Sequence, residues 1–550
     1  MDELARAGLG PRPFARWSEP DDDVVPSSRN LVWLRERLGE LTPTPPVPVS
    51  AVAVPESALP ADAADAFAGI VGPAYVLGEE EARLAHAGGQ SYSDLLRRRS
   101  GHQVTLPDAV IRPGGHDEVA AVLDRAGELD VAVVPYGGGT SVVGGVEPDR
   151  GGHRAVVTLD LSRMDQLLAL DDVSLTATFQ PGVSGPRAEE LLGEHGLTLG
   201  HVPQSFPRGT LGGFVATRSA GQASTGYGRI DALVVGLRVA TPVGSLRLGT
   251  GTPNAAGPDL RALFTGSEGT LGVLTELTLR VRPAPTERRY EIWAFPAFDR
   301  GLEAIRTMVQ DGEVPDVVRL SDEDETETAL ASQGSAGRVA GFVSRVRGVR
   351  RPAFCVLGWE GDHDSVHHRR RVILPVLRKA EASSLGARAG ESWRHHRFDG
   401  PRLRDALMDA GVLVETVETA TSWSGLPRLY RAVTDALRES LTGLGTPPIV
   451  MAHVSHVYPT GASLYFTVLA RQLPDAESAL AQWDAAKTAA SEAISASGGT
   501  ISHHHAIGRT HAPYLTAEVG RVGVVVLAGL KATLDPHGIL NPGVLIPPSP

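Results

Sequence analysis

Pro135-Tyr136-Gly137-Gly138-Gly139-Thr140-Ser141 is the stretch of sequence that decides the fold, and it directly follows a buried-type strand at residues 131–134. Five of the twelve residues in 135–146 are glycines. Glycine lets backbone N–H groups approach a ligand without interference from a Cβ atom. Successive N–H groups in a tight turn form a concavity that binds anions such as a pyrophosphate. The loop matches neither G-x-G-x-x-G nor G-x-x-x-x-G-K-[ST], so neither a Rossmann fold nor a P-loop is predicted.

Strands and helices alternate on both sides of this loop. Strand-like runs lie at residues 109–113, 131–134, 156–161 and 175–179, and helical patterns lie at 117–128 and 186–195. This alternation predicts a body of mixed helices and strands over residues 106–283.

Three further regions are expected outside that body. The run Arg-Val-Arg-Pro-Ala-Pro from residue 280 marks a boundary, after which residues 284–500 combine long helices with scattered strands and are interpreted as an α/β substrate domain. Residues 1–105 are predicted to be an N-terminal extension and helical region, irregular over 1–60 because prolines break helices there. Residues 501–550 form a C-terminal segment with a histidine run. The predicted fold class is α+β.

The composition excludes several classes of protein. The 550 residues carry a formal net charge of −12, which argues against a nucleic-acid partner. The single cysteine, Cys355, excludes an internal disulfide and a cysteine-built metal centre. The longest apolar run, 522–530, is too short to span a membrane, and the N-terminus shows no secretion signal. We therefore expect a cytoplasmic protein, with peripheral membrane contact left open.

Two more glycine-rich stretches follow the first. One is Thr210-Leu211-Gly212-Gly213-Phe214-Val215-Ala216-Thr217, and the other is Gly266-Ser267-Glu268-Gly269-Thr270-Leu271-Gly272-Val273. A single glycine loop is usually only a turn, but three in one region can enclose an extended cofactor. In this order the three stretches resemble the FAD-binding domain of the vanillyl-alcohol oxidase and p-cresol methylhydroxylase (PCMH) family.

The resemblance implies FAD held between two α+β subdomains, with its pyrophosphate on residues 135–141. It places the FAD contacts on Pro135, Tyr136, Gly137, Gly138, Gly139, Thr140, Ser141, Gln204, Ser205, Thr210, Gly213, Thr217, Arg218, Ser219, Ala220, Glu268, Gly269, Thr270, Leu271, Gly272, Val273 and Leu274. Many relatives tether FAD through a histidine in or near the first loop. Here that loop holds neither histidine nor cysteine, so FAD is predicted to be bound non-covalently.

The second half of the chain resembles one branch of that family. Ser455-His456-Val457-Tyr458-Pro459-Thr460-Gly461-Ala462-Ser463-Leu464-Tyr465-Phe466 is followed by Gly498-Gly499-Thr500-Ile501-Ser502-His503-His504-His505-Ala506-Ile507-Gly508. This pair is similar to motifs of the alkyldihydroxyacetonephosphate synthases. The shorter runs Leu403-Arg404-Asp405 and Val318-Arg319-Leu320 and the pair Gly200-His201 have counterparts there too.

The resemblance also implies which residues form the active site. The proton-transferring tyrosine of the family falls on Tyr465, and its phosphate-binding arginine falls on Arg404. Its triple-histidine motif falls on His503, His504 and His505. Arg319 and His201 match further positions on the substrate side.

The implied reaction replaces the acyl group of 1-acyl-dihydroxyacetone phosphate by a long-chain alcohol, forming the ether bond of ether lipids without net oxidation. Tyrosine is a weak base at its usual pKa of about 10, so cations of His503–His505 and Arg404 are expected to favour the Tyr465 anion. The implied partners are the lipid-phosphate substrate, the long-chain alcohol and a second copy of the chain in a homodimer.

Other interpretations stay open from the residues alone. The same fold supports an oxidase or dehydrogenase of a 2-hydroxy acid, or a flavin-binding module without catalysis. No metal is predicted, because three consecutive histidines in an extended chain point to alternating faces. The acidic run 321–327 and the basic run 97–99 are interpreted as solvated surface.

Overall fold

The computed structural model describes residues 13–17, 24–249, 252–332 and 351–546. Within these ranges the chain forms three main sheets and one short two-stranded pair, with helices between and around them. The mixture confirms the predicted α+β class.

The first sheet carries the glycine loop of residues 135–141 at the end of one strand. Its strands are β1 (Val76–Leu77), β2 (Ala109–Ile111), β3 (Val131–Tyr136) and β4 (Ala155–Asp160), in the spatial order β1-β2-β4-β3. β2, β4 and β3 run parallel. Residues 131–134 are completely buried, as expected for a parallel strand that is covered on both faces. The loop therefore lies at the carboxyl end of a parallel strand, where ligands of such sheets bind.

The C-terminal segment extends this sheet beside β3. Leu540 forms a parallel bridge with Val133. The N–H of Val133 donates to the carbonyl of Ile539 at 2.8 Å, and the N–H of Asn541 donates to the carbonyl of Val133 at 2.9 Å. Residues near the end of the chain thus support the strand that leads into the first glycine loop.

The second sheet is antiparallel throughout. Its strands are β5 (Leu167–Asp171), β6 (Thr176–Phe179), β8 (Val234–Thr241), β9 (Gly244–Leu248) and β10 (Val273–Arg280), in the order β5-β6-β10-β8-β9. The short strands β7 (Leu197–Thr198) and β11 (Arg282–Pro283) pair with each other. The third glycine stretch runs directly into β10, so its position follows from this sheet.

The third sheet is antiparallel as well and contains eight strands. They are β12 (Glu287–Phe295), β13 (Val317–Ser321), β14 (Ala353–Gly361), β15 (Ser383–Gly386), β16 (Val412–Ser422), β17 (Ile449–Val454), β18 (Val457–Tyr458) and β19 (Gly461–Arg471). The order is β15-β12-β14-β13-β17-β19-β16, and β18 pairs with β19. Tyr465 lies in β19 between His453 of β17 and Glu418 of β16.

Helices cover the sheets and supply the largest core. The α-helices span Ser28–Leu38, Ala61–Val71, Glu80–Ala85, Tyr92–Ser100, His116–Leu129, Gly185–Gly193, Leu211–Ala216, Ser224–Tyr227, Ile230–Leu233, Arg261–Phe264, Phe298–Gln310, Glu323–Ser332, His363–Lys379, Ala387–His396, Gly400–Asp409, Leu426–Gly443, Ala476–Ala496 and Leu515–Leu534. Short 3-10 turns span Val49–Ala51, Pro73–Tyr75, Leu161–Arg163 and Ala512–Tyr514. In the core of the third sheet, Ile305, Leu429 and Trp483 from three helices pack with Phe466 of β19.

Two expectations about the N-terminal region are wrong. Residues 1–60 are not irregular throughout, because Ser28–Leu38 is a helix capped by Ser27, whose hydroxyl accepts from the N–H of Asn30. Residues 1–12 and 18–23 lie outside the described residues. The basic run 97–99 is not solvated: Arg98 is 1% exposed and donates to the carbonyls of Ala87 and Gly89 at 2.6 and 2.7 Å.

Within the described ranges, no helix combines the length and the apolar character that are needed to cross a bilayer.

Candidate active site

A cavity of about 410 Å³ is lined by residues of all three sheets. Most of the residues predicted to contact FAD line it, together with Tyr465, His504, His505, Arg404 and Arg319. The predicted cofactor residues in its wall are Pro135, Tyr136, Gly137, Gly138, Gly139, Thr140, Ser141, Gln204, Ser205, Thr210, Gly213, Thr217, Ser219, Ala220, Glu268, Gly269, Gly272, Val273 and Leu274. Residues far apart in the sequence therefore meet around one space.

The first glycine loop packs directly against residues 205–210. A Cβ atom on Gly137 would lie 2.3 Å from Thr210 Oγ1, and one on Gly138 would lie 2.0 Å from the carbonyl oxygen of Arg208. Position 138 therefore requires glycine because two backbone segments approach each other closely, and position 137 requires it because the Thr210 side chain fills the space of a Cβ atom. The Thr210 hydroxyl also accepts from the N–H of Gly213 at 3.2 Å, which caps the helix Leu211–Ala216.

Glu268 joins the third glycine stretch to the segment that follows the triple histidine. Its carboxylate accepts from the N–H groups of Ile507 and Gly508, each at 2.9 Å, and its side chain lines the cavity. Burial raises the pKa of Glu268 to about 7, and these two hydrogen bonds act in the opposite direction. Glu268 thus connects the third glycine stretch to the segment that follows His503–His505.

Asn541 links two of the glycine stretches from the C-terminal segment. Its side-chain nitrogen donates to the carbonyl of Gly145 at 2.9 Å and to the carbonyl of Glu268 at 2.7 Å. Asn541 is 1% exposed. A single buried amide therefore bridges the first and third glycine stretches.

The chemistry of the cavity wall fits FAD. Gln90 is 1% exposed and lines the cavity, yet neither its amide nitrogen nor its amide oxygen has a hydrogen-bond partner among the described residues. The amide nitrogen of Gln204 is also buried without a hydrogen-bond partner among the described residues. Buried polar groups are nearly always hydrogen-bonded in folded proteins, so such groups indicate a ligand. Residues 135–141 would hold the pyrophosphate of FAD, and these amides offer further contacts.

Tyr465 stands among histidine rings at the cavity wall. Its ring stacks on His453 with centroids 4.9 Å apart and on His504 at 5.8 Å, and it meets His505 edge-on at 5.5 Å. All four residues line the cavity. The structure therefore brings the predicted tyrosine and two of the three predicted histidines together.

Glu418 of β16 holds the triple-histidine segment in place. Its buried carboxylate accepts from the N–H groups of His503, His504 and His505 at 2.8, 3.1 and 2.9 Å, and from the Ser502 hydroxyl at 2.7 Å. Burial opposes its ionisation, but the neighbouring His504 holds the pKa of Glu418 well below its usual range. The carboxylate therefore fixes the direction of all three histidines through their backbone.

The histidine cluster is engaged in hydrogen bonds. His456, His503 and His504 each place one ring nitrogen within 4.8 Å of the other two, which is close enough to hold a metal ion. However, His503 Nδ1 lies 3.0 Å from His504 Nδ1, and His503 Nε2 lies 2.7 Å from the Tyr458 hydroxyl. Hydrogen bonding therefore accounts for the positions of His503 and His504, whereas Nδ1 of His456 has no hydrogen-bond partner among the described residues.

The expectation that cations favour the Tyr465 anion is wrong for this structure. Burial, together with the charges of Glu415 and Glu418, raises the pKa of Tyr465 to about 12, although Thr416 and Arg319 act in the opposite direction. Burial also lowers the pKa of His503 to about 3 and that of His505 well below its usual range. At neutral pH Tyr465 is a phenol, and His503 and His505 are neutral.

The two predicted substrate arginines line the cavity from two different elements, a helix and a strand. Arg404, in the helix Gly400–Asp409, donates to the carbonyl of Gln90 at 2.8 Å, while its buried Nε has no partner among the described residues. Arg319 of β13 pairs with Glu325 at 2.6 Å. Arg404 thus retains a donor for a ligand, whereas Arg319 is already paired with a carboxylate.

Five predicted residues do not line the cavity. His201 is buried behind Ser219, whose hydroxyl lies 2.7 Å from its Nε2, and burial lowers its pKa to about 3. Arg218 is exposed and pairs with Asp231 at 2.9 Å. The others are Thr270, Leu271 and His503. His201 can therefore act on a ligand only through Ser219, and as a neutral ring.

Several residues around the cavity were not predicted as site residues, namely Gln90, Glu325, Glu415, Glu418 and His453. Glu325 and Asp322 also correct the interpretation of residues 321–327 as solvated surface. Asp322 is 1% exposed and accepts from the N–H of Glu325 at 2.7 Å, and Glu325 contacts Arg319 and His453. No sequence signal marked His453 or Glu418, because they come to lie directly opposite Tyr465 only when the strands pair.

Comparison with known proteins agrees with this geometry. The protein family described as FAD binding domain matches residues 107–249. The family described as FAD linked oxidases, C-terminal domain, matches residues 284–545. Alkyldihydroxyacetonephosphate synthase of Dictyostelium discoideum is 34% identical over 476 residues, which is 85% of this chain and 77% of the relative.

Solved structures show the same relationship. A structure of alkyldihydroxyacetonephosphate synthase matches with a TM-score of 0.82 at 28% identity, over 98% of this chain and 100% of the other. Substrate-bound p-cresol methylhydroxylase matches with a TM-score of 0.69 at 17% identity, over 88% of this chain and 96% of the other, which shows the fold.

Fold, cavity and matched models together define an FAD-dependent enzyme with a PCMH-type FAD-binding domain. Within that class, the chain belongs to the alkyldihydroxyacetonephosphate synthase family.

The flavin is expected to be dissociable, because the loop at residues 135–141 offers no histidine or cysteine for a covalent bond. The purified protein should be yellow, and precipitation with acid should leave the flavin in the supernatant. Flavin absorbance that remains with the pellet would contradict this prediction and would point to one of the histidines elsewhere in the cavity wall.

Proposed function

We propose that this protein exchanges the acyl group of an acyl-dihydroxyacetone phosphate for a long-chain alcohol, with no net oxidation or reduction. The observation that carries the proposal is the convergence of Arg404, Tyr465 and the FAD loops on one cavity. The activity named for the Dictyostelium relative is of the same kind.

Arg404 is the proposed ligand for the substrate phosphate. A guanidinium binds a phosphate through a planar pair of N–H donors, and the buried Nε of Arg404 has no partner among the described residues. Its contact with the carbonyl of Gln90 holds the guanidinium at the cavity wall. Burial raises the pKa of the nearby Glu415, which favours its uncharged form, and the charge of Arg404 acts in the opposite direction.

Tyr465 is the proposed residue that moves a proton at the reacting carbon. When bound, FAD supplies an electrophilic ring system for the exchange. Because Tyr465 is a phenol at neutral pH, its Oη can take a proton only as its own proton passes to a neighbour. The His505 ring meets the Tyr465 ring edge-on with centroids 5.5 Å apart, but burial lowers the pKa of His505 well below its usual range, so this ring is neutral and a weak proton acceptor. The side chain hydrogen-bonded to Tyr465 is that of Thr416.

One assay tests this function against oxidation of a 2-hydroxy acid. The holoenzyme is given acyl-dihydroxyacetone phosphate and hexadecanol without oxygen or another electron acceptor. Many turnovers per flavin, with the flavin spectrum still oxidised at the end, are expected. Turnover that appears only with a hydroxy acid and an added acceptor would overturn the proposal.

Two further partners are proposed. The resemblance implies a second copy of the chain in a homodimer, and the sequence leaves open a peripheral contact with a membrane. Light scattering of the holoenzyme should give twice the chain mass. Flotation with phospholipid vesicles should recover a fraction of the protein that falls as salt is raised.

Replacing Arg404 by lysine is expected to raise the KM for acyl-dihydroxyacetone phosphate roughly 10- to 100-fold, because one charge-assisted hydrogen bond of about 1.5–3 kcal/mol is lost. The KM for hexadecanol should change little. Arg402→Lys is the matched control, since Arg402 lies in the same helix but not in the cavity wall. Equal effects of both variants, or an effect only on the alcohol, would contradict the phosphate assignment.

A further inference from the structure

His453 and Glu325 form a carboxylate–imidazole pair at the cavity wall. His453 lies near the end of β17 and is 4% exposed, and Glu325 lies in the helix Glu323–Ser332. Nδ1 of His453 is 3.2 Å from each oxygen of the Glu325 carboxylate. The two residues are 128 positions apart in the chain, so only the fold brings them together.

The pair has a defined orientation. Glu325 is held by Arg319, which donates to it at 2.6 Å, and by Asp322, which accepts from the Glu325 N–H at 2.7 Å. Since the Arg319 and His453 contacts keep the pKa of Glu325 low against the effect of burial, its carboxylate is ionised and Nδ1 carries the proton. A histidine that donates from Nδ1 presents an unprotonated Nε2.

The unprotonated Nε2 of His453 lies at the wall of the cavity that also holds Tyr465. Nε2 of His453 has no hydrogen-bond partner among the described residues, and the ring lines the cavity while stacked 4.9 Å from the ring of Tyr465. Burial, followed by the charge of Arg319, lowers the pKa of His453, so the ring is neutral and able to accept a proton.

The other histidines are arranged differently. His456 also lines the cavity, but its Nδ1 has no partner among the described residues, so no carboxylate orients it. Nδ1 of His504 lies 3.3 Å from the Glu418 carboxylate, but it also lies 3.0 Å from His503 Nδ1, and that carboxylate is shared with three backbone N–H groups. Among the histidines of the cavity wall, His453 has the arrangement that is typical of a general base.

We propose that His453 is the general base for the incoming alcohol, with Glu325 as its positioning residue. This inference rests on the proposed exchange reaction. The alcohol O–H bond breaks and its proton passes to Nε2 of His453, while the alcohol oxygen forms a bond to the reacting carbon. The bond between that carbon and the acyl oxygen breaks, and the fatty carboxylate leaves with the electron pair. The imidazolium then releases its proton to solvent, so atoms, charge and electrons balance.

The proposal separates two reactions of the same holoenzyme. A fatty carboxylate carries no proton at neutral pH, so exchange of isotope-labelled palmitate into acyl-dihydroxyacetone phosphate needs no base for the entering group. Incorporation of hexadecanol does need one. His453→Gln is expected to lower hexadecanol incorporation by about 10²-fold or more while palmitate exchange stays within a few-fold of the unmodified enzyme. Glu325→Gln should lower the alcohol reaction selectively as well, to a smaller extent.

The controls decide between the possible failures. Flavin content and palmitate exchange report whether each variant is folded and binds substrate, and His456→Gln should not separate the two reactions. Equal loss of both reactions in His453→Gln and Glu325→Gln, or full alcohol incorporation in both, would overturn the role of His453. If the unmodified enzyme itself performs neither reaction, the proposed function fails instead. Should His453→Gln not fold, Glu325→Gln carries the test alone.

Discussion

The Tyr465→Phe enzyme is expected to lose activity by about 10²-fold or more while it remains yellow. The substitution removes one hydroxyl and keeps the ring, so the stacking on His453 and His504 is preserved and packing changes little. Turnover is measured with acyl-dihydroxyacetone phosphate and hexadecanol without oxygen, and flavin content is measured from the visible spectrum.

The two readouts of this variant have different meanings. Normal flavin content with lost turnover supports proton transfer by Tyr465. Full activity, or loss of flavin together with activity, would show that the tyrosine only packs against its neighbours. Unlike His453→Gln, the variant should lose palmitate exchange too, because Tyr465 acts at the carbon and not on the entering group.

Gly138→Val is expected to give a colourless or poorly folded protein. Its Cβ atom would lie 2.0 Å from the carbonyl oxygen of Arg208 and 3.0 Å from the Cα atom of Gly209. Backbone atoms cannot move aside as the end of a flexible side chain can, so the loop at residues 205–210 must shift. That loop also lines the cavity, and flavin binding should be lost with it.

The matched control for this variant is Gly115→Val. Gly115 lies in the same part of the chain, has extended backbone angles of −171° and 178°, and has no atom within 4 Å of the Cβ position. It should keep its flavin and melt near the temperature of the unmodified protein. A yellow, stable Gly138→Val protein would show that the two loops do not pack as described.

Most residues that are predicted to contact FAD line one cavity, and the sequence signal that marks them is local. Glycine is required at 138 by a close approach of two backbones and at 137 by the Thr210 side chain, and this requirement leaves a mark in a short stretch of residues. Tyr465 and the triple histidine were found from motifs of the same short kind. The strand and helix pattern around residues 106–283 also follows from local periodicity.

The residues around Tyr465, to which proton transfer is assigned in the proposals above, could not be predicted in the same way. His453, Glu325 and Glu418 lie on separate elements, and each has an unremarkable sequence context. Glu325 belongs to an acidic run that would be solvated if the helix Glu323–Ser332 did not pack beside β17. The pKa of Tyr465 depends on burial and on carboxylates brought close by strand pairing, and no motif encodes that balance.

The Asn541 amide, which bridges the carbonyls of Gly145 and Glu268, is synthesised long after the first of them. The amide that spaces the glycine loops lies 396 residues after Gly145. At a synthesis rate of roughly 5–20 residues per second, Gly145 leaves the ribosome about 20–80 s before Asn541. During that interval the first sheet also lacks the strand-like segment that pairs with β3 at Leu540. Tight capture of the cofactor is therefore expected to follow translation, and a nascent chain stalled before residue 539 should emerge without colour.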